Sequence, residues 1–412
     1  MSVITKEVYF GTGRPEKGTA KICFDESLFF ADSRIYSHSL AQFCAVFSAA
    51  GYDMPIEQNS AEKTGISAVL SEFEMSDIEC YPESLENEVG YFFAHREICC
   101  DDEKRTLIFA AFLGSRYTQW YTNFDAGTGE MHEGFKQAAD FVFDRLNTYI
   151  DRHSLKIEKC TFLLTGHSRG AAAANLMAAR MIDENYILPE RFFTYTFASP
   201  TLTRSEKAGS EKYGGIYNII NDEDFVTRCM PPQWGYRRYG KTAVLPCKNN
   251  LADYDLYLKK VNDYYSKLVP GDLYIPYRKS TKKMDSLFSN LVKYVPDINA
   301  YYNKKFNLCG DRVSLHDFFE QSLCSIIGEP AGSKKIEQGT KMLVKTSIMR
   351  PASSRALRLI SDFFILYEGL AGATKGKISK QYFSYAHAVY TYCSLTEAVS
   401  ESQLKEINKD LR

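Results

Sequence analysis

The segment FLLTGHSRGAAAANLMAARM, which begins at Phe162, constrains the fold of this chain more than any other. It places Ser168 between Gly166 and Gly170, after a continuous apolar run and before a run of small residues. The pattern G-x-S-x-G is typical of a sharp turn from strand to helix, whose middle residue is strained and whose glycines leave room where a Cβ atom would clash. We therefore expect a buried strand that ends one residue before Gly166, a helix that starts at Ser168, and the serine hydroxyl at the carboxyl edge of a sheet.

Strand-like and helix-like segments alternate around this turn. Continuous apolar runs, each of strand length, predict buried strands at residues 106–114, 159–166, 191–200 and 215–222. An amphipathic helix is predicted at residues 133–150, where apolar side chains recur on one helical face. This order predicts the α/β class, with a mostly parallel central sheet that is covered by helices.

The pattern changes at about residue 251. Four stretches, at residues 251–268, 285–306, 314–327 and 354–370, have the apolar spacing of helices, and we expect no strand between them. The sequence thus predicts a core at residues 1–250 and a large helical insertion or cap at residues 251–376. Residues 377–412 are predicted to return to the core.

Charge and cysteine content exclude several classes of function. Fifty basic side chains against fifty-one acidic ones do not suggest a nucleic-acid partner. The eleven cysteines include no CxxC pair of the kind that binds zinc or acts in redox chemistry. We expect neither a metal nor an organic cofactor, because the serine chemistry predicted below needs neither. No stretch has the length of a signal peptide or a membrane span, and we expect a cytoplasmic protein.

The predicted turn gives Ser168 the position of a nucleophile. A serine hydroxyl reacts poorly by itself, but at the edge of the sheet a histidine can reach it and take its proton. The backbone amide of Arg169, at the start of the predicted helix, would point at an oxyanion that develops during the reaction. An inert turn with a small residue at its centre is the alternative.

Five blocks of the sequence, in the same order as in a known family, carry a resemblance. They are FLGSRYTQWYTNFD (112–125), MHEGF (131–135), GHSRG (166–170), TFASP (196–200) and NDEDFVTRCMPP (221–232). Together they resemble the class 3 lipases of the α/β-hydrolase fold, and in particular bacterial relatives with a GHSRG turn. The resemblance implies that Ser115 supplies a second oxyanion donor and that His132 has a structural role. Leu113 stands where the family usually has an arginine.

The acid and the base are expected after the serine, in the chain order Ser, Asp, His. Acidic residues follow the strand GIYNII at Asp222, Glu223 and Asp224, and the resemblance favours Asp224 because an apolar pair follows it, with Asp222 as the second candidate. Only His316 and His387 follow Asp224 in the chain. The resemblance favours His387, with Tyr392 in the place of a family tyrosine, and His316 stays the alternative.

These residues predict a serine hydrolase that cleaves a carboxylic ester, with Ser168, Asp224 and His387 as its triad. The resemblance implies a small-molecule or lipid ester as substrate, transient contact with a membrane surface and an acyl-enzyme intermediate; the sequence leaves the oligomeric state unknown. One alternative is a hydrolase-like protein that binds a ligand or partner without turnover. Another is a membrane-associated scaffold that uses the amphipathic stretch RALRLISDFFILYEGL (355–370).

Overall fold

The computed structural model describes most of the first two thirds of the chain and its last segment. The described residues are 3–11, 16–53, 65–82, 88–115, 129–224, 226–228, 235–276, 306–308, 311–314, 316–317, 320, 330–334, 336–338 and 385–411.

An antiparallel hairpin precedes the main sheet. Its strands are β1 (Val3–Phe10) and β2 (Gly18–Asp25), which pair along their whole length. The main sheet contains, within the described ranges, β3 (Ser76–Tyr81), β4 (Tyr91–Cys100), β5 (Glu103–Phe112), β6 (Cys160–His167), β7 (Phe192–Phe197), β8 (Ile216–Ile220) and β9 (Lys241–Val244). They lie side by side in chain order. The pairs β3–β4 and β4–β5 are antiparallel, and the strands from β5 to β9 are parallel.

Helices cover both faces of this sheet. They are α1 (His38–Ala50), α2 (Gly65–Glu72), α3 (Glu133–Arg152), α4 (Arg169–Asp183), α5 (Tyr254–Leu268), α6 (Val389–Ala398) and α7 (Glu401–Ile407). Along β5, Leu107 and Phe109 belong to a core with α1, α5 and α6, while Ile108 and Ala110 belong to a second core with α3 and α4. This alternation is the two-residue period of a strand that is buried on both sides.

The fold predicted around Ser168 is confirmed. Each predicted strand overlaps an observed one, and the helix predicted at residues 133–150 is α3. One boundary differs, since β6 continues through Gly166 to His167 and α4 begins at Arg169. The strand runs on because Gly166 and His167 still pair with Thr196 and Phe197 of β7, so the turn is sharper than the sequence predicted.

The region after residue 251 contains the first predicted helix, as α5, and differs from the sequence prediction at one point. Helix α5 lies against the core, where Tyr257 donates a hydrogen bond to the carbonyl of Leu395 (2.9 Å). Two short strands, β10 (Phe306–Leu308) and β11 (Asp311–Val313), pair antiparallel, so the expectation of no strand here is wrong. Three residues are too few for an alternating pattern to be recognised.

Most of the predicted insertion, including the amphipathic stretch at residues 355–370, lies outside the described residues. The predicted limits of the insertion and of the returning segment therefore stay predictions. Among the helices that the structure describes, none combines the length and the apolar character needed to cross a membrane.

Candidate active site

Ser168 occupies the turn between β6 and α4 with a strained backbone. Its φ of 57° and ψ of −120° lie in a region that non-glycine residues rarely adopt. The flanking glycines permit this turn: a Cβ atom on Gly166 would lie 2.4 Å from the carbonyl oxygen of Gly170, and one on Gly170 would lie 2.2 Å from that of Phe112. The strain at Ser168 is thus held by close backbone packing on both sides.

Asp224, His387 and Ser168 form one hydrogen-bonded chain. His387 Nε2 lies 2.9 Å from Ser168 Oγ, and His387 Nδ1 lies 2.9 Å from Asp224 Oδ2. Because a carboxylate only accepts, Nδ1 carries the imidazole proton and Nε2 is left to accept from the serine hydroxyl. Asp224 is 1% exposed, and 21% of the His387 side chain remains accessible. This arrangement can remove a proton from Ser168 and stabilise the imidazolium that results.

The carboxylate of Asp224 has further donors that fix its orientation. Tyr392 donates its hydroxyl to Oδ2 (2.7 Å), and the amide of Val226 donates to Oδ1 (2.9 Å). Burial, and then the negative charge of Asp224, raise the pKa of Tyr392 well above its ordinary value, so its phenol stays protonated and donates. The Tyr392 oxygen also accepts from the amide of Asn221 (3.0 Å). Each oxygen of the acid thus has a defined donor.

The other candidate acids and the other candidate base have different partners. Asp222 pairs with Arg228, and Glu223 accepts a hydrogen bond from Tyr274 (3.1 Å). The side chain of His316 is 39% exposed, and its Nδ1 lies 4.0 Å from Asp317. Within the described part of the chain, the histidine that the structure brings to Ser168 is His387.

The two predicted oxyanion donors belong to different segments, Arg169 to the turn itself and Ser115 to the loop after β5. Arg169 is the first residue of α4, so its amide is at the positive end of the helix dipole. Ser115 follows Gly114, whose ideal Cβ position is 3.2 Å from the carbonyl oxygen of His167. The loop that carries Ser115 therefore packs against the turn. Leu113, at the position of the family's usual arginine, is buried.

Sequence reasoning overlooked His167 and Tyr52. His167, beside the serine, is buried and donates from Nε2 to the carbonyl oxygen of His387 (2.8 Å). Its Nδ1 lies 2.9 Å from the hydroxyl of half-buried Tyr52. The signal available in the sequence was the histidine of GHSRG itself, but no local pattern connects it with residue 52 or 387.

His132 lies away from this chain of hydrogen bonds. It is the N-cap of α3, where its side chain accepts from the amide of Phe135 (3.4 Å) and its ring stacks on the Phe135 ring. Among the described residues, the acidic, cysteine and histidine side chains form no group of three that could hold a metal ion.

Similarity to known proteins covers the part of the chain that contains the turn. Residues 109–234 match the family model for lipases of class 3. The secreted mono- and diacylglycerol lipase 1 of Fusarium solani is 25% identical over 151 residues, which make up 34% of this chain and 44% of that protein. The chain thus spans less than half the length of this relative. Because the relative is fungal, it gives no support to the bacterial affiliation expected from the sequence.

Solved lipase structures are similar to the chain at low scores. The Rhizomucor miehei lipase propeptide complex is 19% identical, covers 51% of this chain and 68% of its own, and has a TM-score of 0.36. The Lip2 lipase of Yarrowia lipolytica is 16% identical, covers 59% of this chain and 82% of its own, and has a TM-score of 0.34. These scores are too low to support an argument about the site, so its geometry is described from the contacts within this chain.

Proposed function

We propose, from the premise that this chain is a class 3 lipase-like protein of the α/β-hydrolase fold, that it hydrolyses carboxylic esters through an acyl-enzyme at Ser168. The observation that carries the proposal is the unbroken chain from buried Asp224 through His387 to a serine with a strained backbone. Structural serines seldom combine these features, because strain and a buried carboxylate both cost stability.

In the first half of the reaction, His387 takes the proton of Ser168 Oγ at Nε2 while the oxygen attacks the ester carbonyl. Asp224 keeps the Nδ1 proton in place and stabilises the imidazolium without taking that proton. The amides of Arg169 and Ser115 donate to the oxyanion of the tetrahedral intermediate. His387 then gives its proton to the leaving alcohol, and the acyl group remains on Ser168.

In the second half, a water molecule takes the place of the alcohol. His387 removes a proton from the water as it attacks the acyl carbonyl, and returns a proton to Ser168 as the carboxylic acid leaves. Every proton in this reaction moves between an oxygen atom and His387 Nε2. The triad and the two oxyanion donors, with water, are therefore sufficient for the proposed hydrolysis.

Lipid esters are the proposed substrate class. The family match supports an ester of this kind, and the name of the Fusarium relative identifies mono- and diacylglycerols as its substrates. Glycerol esters are therefore the first natural substrates to test. Transient contact with a membrane surface accompanies this proposal, and sedimentation with phosphatidylcholine vesicles that contain diacylglycerol would detect it.

Cellular location is tested separately. The name of the Fusarium relative describes that protein as secreted, whereas we propose a cytoplasmic location for this chain from its sequence. Fractionation of source cells, with a cytoplasmic enzyme as the marker, distinguishes the two. Recovery in the culture medium without lysis would contradict the proposed location and leave the proposed chemistry unaffected.

The experiment that tests the function is hydrolysis of p-nitrophenyl esters of short to long acyl chains. We expect turnover by the wild type, its loss in Ser168→Ala and His387→Ala, and its retention in His316→Ala, with folding checked by circular dichroism. Loss in His316→Ala instead of His387→Ala would contradict the assignment of the base. A folded wild type that turns over neither these esters nor diacylglycerol would favour a binding protein without turnover.

A further inference from the structure

Tyr52, His167 and Gly114 form a cluster behind the proposed triad that the hydrolysis mechanism does not use. We propose that Tyr52 and His167 are positioning residues, which together fix the backbone of His387 and the loop that carries Ser115. This inference rests on the proposed function and extends it. The same two residues would then position both the base, His387, and the loop of the second oxyanion donor, Ser115.

The hydrogen bonds of His167 require one tautomer. The carbonyl oxygen of His387 only accepts, so the proton of the neutral His167 ring is on Nε2, which donates to it over 2.8 Å. The unprotonated Nδ1 then accepts from the Tyr52 hydroxyl over 2.9 Å. The result is a directed series of donors from Tyr52 to His167 to the backbone of His387, parallel to the series that connects Ser168, His387 and Asp224.

The environment of His167 keeps its ring neutral. Burial, and then the charge of His387, lower the pKa of His167 well below its ordinary value of 6.5, and the two ring centroids are 5.0 Å apart. His387 becomes a cation whenever it takes the serine proton, and a second cation at this distance would oppose that step. A protonated His167 would also lose its acceptor for Tyr52. Neutrality thus serves both the positioning contact and the charge balance of the site.

Two glycines make room for Tyr52 at the edge of the sheet. A Cβ atom on Gly51 would lie 2.5 Å from Leu113 Cδ2, so the chain after α1 approaches the end of β5 closely. A Cβ atom on Gly114 would lie 2.0 Å from the Tyr52 oxygen and 3.2 Å from His167 Nδ1. The Tyr52 hydroxyl therefore occupies the space over the residue that precedes Ser115. One phenol contacts both the oxyanion loop and the support of the base.

The expected effect of losing this support is on catalysis rather than on substrate binding. A small displacement of the base or the oxyanion donor raises the barrier without removing contacts to the rest of the substrate. For Tyr52→Phe we expect kcat to fall roughly 10-fold, with KM within about twofold of the wild type. Tyr9→Phe is the matched control, because the Tyr9 hydroxyl bonds exposed Glu7 on the hairpin.

Two substitutions of His167 separate its two hydrogen bonds. A glutamine amide reaches the position of Nε2 and can still donate to the His387 carbonyl, whereas an asparagine amide reaches only the position of Nδ1, next to Tyr52. We expect His167→Gln to keep several-fold more kcat than His167→Asn at similar melting temperature. Phosphonylation of Ser168 by a fluorophosphonate should likewise be faster in His167→Gln than in His167→Asn, because this reaction needs the same base, His387.

A double substitution tests the steric part of the proposal. Gly114→Ala should lower the melting temperature strongly, because its Cβ meets the Tyr52 oxygen, and adding Tyr52→Phe should recover part of that loss by removing the oxygen. Additive losses in the double variant would contradict the packing of Tyr52 over Gly114.

The outcomes distinguish this inference from the function on which it rests. An active wild type together with a Tyr52→Phe variant of unchanged kcat would overturn the positioning role and leave the hydrolase intact. Equal losses in His167→Gln and His167→Asn, with a lower melting temperature in both, would make His167 a structural residue only. A folded wild type that neither turns over esters nor reacts with the fluorophosphonate would refute the proposed function itself.

Discussion

The two sides of the candidate site are held in different ways. The turn of Ser168 is encoded locally, because Gly166 and Gly170 flank the serine and α4 begins at the next residue. His387 lies 219 residues from Ser168 and 163 from Asp224, and hydrogen bonds from distant segments hold it. The comparison teaches that the turn of a nucleophile can be recognised from five consecutive residues, whereas the position of its base depends on contacts across the whole fold.

The largest effect on activity is expected from the acid that orients the distant base, His387. Asp224→Asn keeps the size of the side chain but presents an amide to His387 Nδ1, which favours the wrong imidazole tautomer. We expect kcat to fall on the order of 10⁴-fold. Steady-state hydrolysis of a p-nitrophenyl ester measures it, with Asp222→Asn as control, because Asp222 pairs with Arg228 and should leave kcat within a few-fold. Equal losses in the two variants would contradict the assignment of the acid.

In the turn around Ser168, the expected effect of a substitution is a loss of stability. Gly170→Ala places a Cβ atom 2.2 Å from the backbone oxygen of Phe112, where no flexible side chain can yield. We expect a loss of about 3 kcal/mol or more in the free energy of unfolding. Gly209→Ala is the control, since nothing lies within 4 Å of its Cβ position, and it should change that free energy by about 0.5 kcal/mol or less. Urea denaturation compares them; similar stability in both variants would show that the turn tolerates a side chain.

The same difference explains what the sequence could predict. The turn, the strands from β5 to β8 and α3 follow from local patterns of glycine and apolar residues, and the structure contains them. The hairpin β1–β2 was not predicted because apolar and polar side chains do not alternate regularly along β1, VITKEVYF. The packing of α5 on the core joins segments that are distant in the chain, and such contacts leave no periodic signal. His387 was favoured only through a family resemblance, and Tyr52 carries no mark in the sequence at all.

A smaller effect is expected from the support of the acid. Tyr392→Phe removes one charge-assisted hydrogen bond to Asp224 while the bonds from His387 and the Val226 amide remain. Since such bonds contribute about 1.5–3 kcal/mol, we expect kcat to fall roughly 10- to 100-fold. The control on the same helix is Tyr390→Phe, whose hydroxyl contacts the Gly11 carbonyl (3.5 Å). A Tyr392→Phe enzyme with the kcat of the control would show that the bonds from His387 and the Val226 amide are sufficient to orient the acid.

The smallest effect concerns Glu397 on α6, the helix that follows His387. Burial raises the pKa of Glu397 to about 7, and Gln42 donates to its carboxyl group over 3.2 Å. A raised carboxyl pKa means that the folded state favours the protonated form, so this contribution is fully present below the ordinary value of 4.5 and declines as pH rises toward 7. Glu397→Gln should therefore gain stability relative to the wild type between pH 5 and pH 8. Melting curves across this range check it, and parallel curves would contradict a buried carboxyl at this position.

The most direct test of the central claim, that distant Asp224 and His387 activate Ser168, is covalent labelling of the folded protein with a fluorophosphonate. The adduct is located by mass spectrometry of the peptide that contains residue 168. We expect one adduct per chain on Ser168 in the wild type, much slower labelling in Asp224→Asn, and none in His387→Ala. An unlabelled wild type that is fully folded, or a His387→Ala variant that labels at the wild-type rate, would contradict the claim.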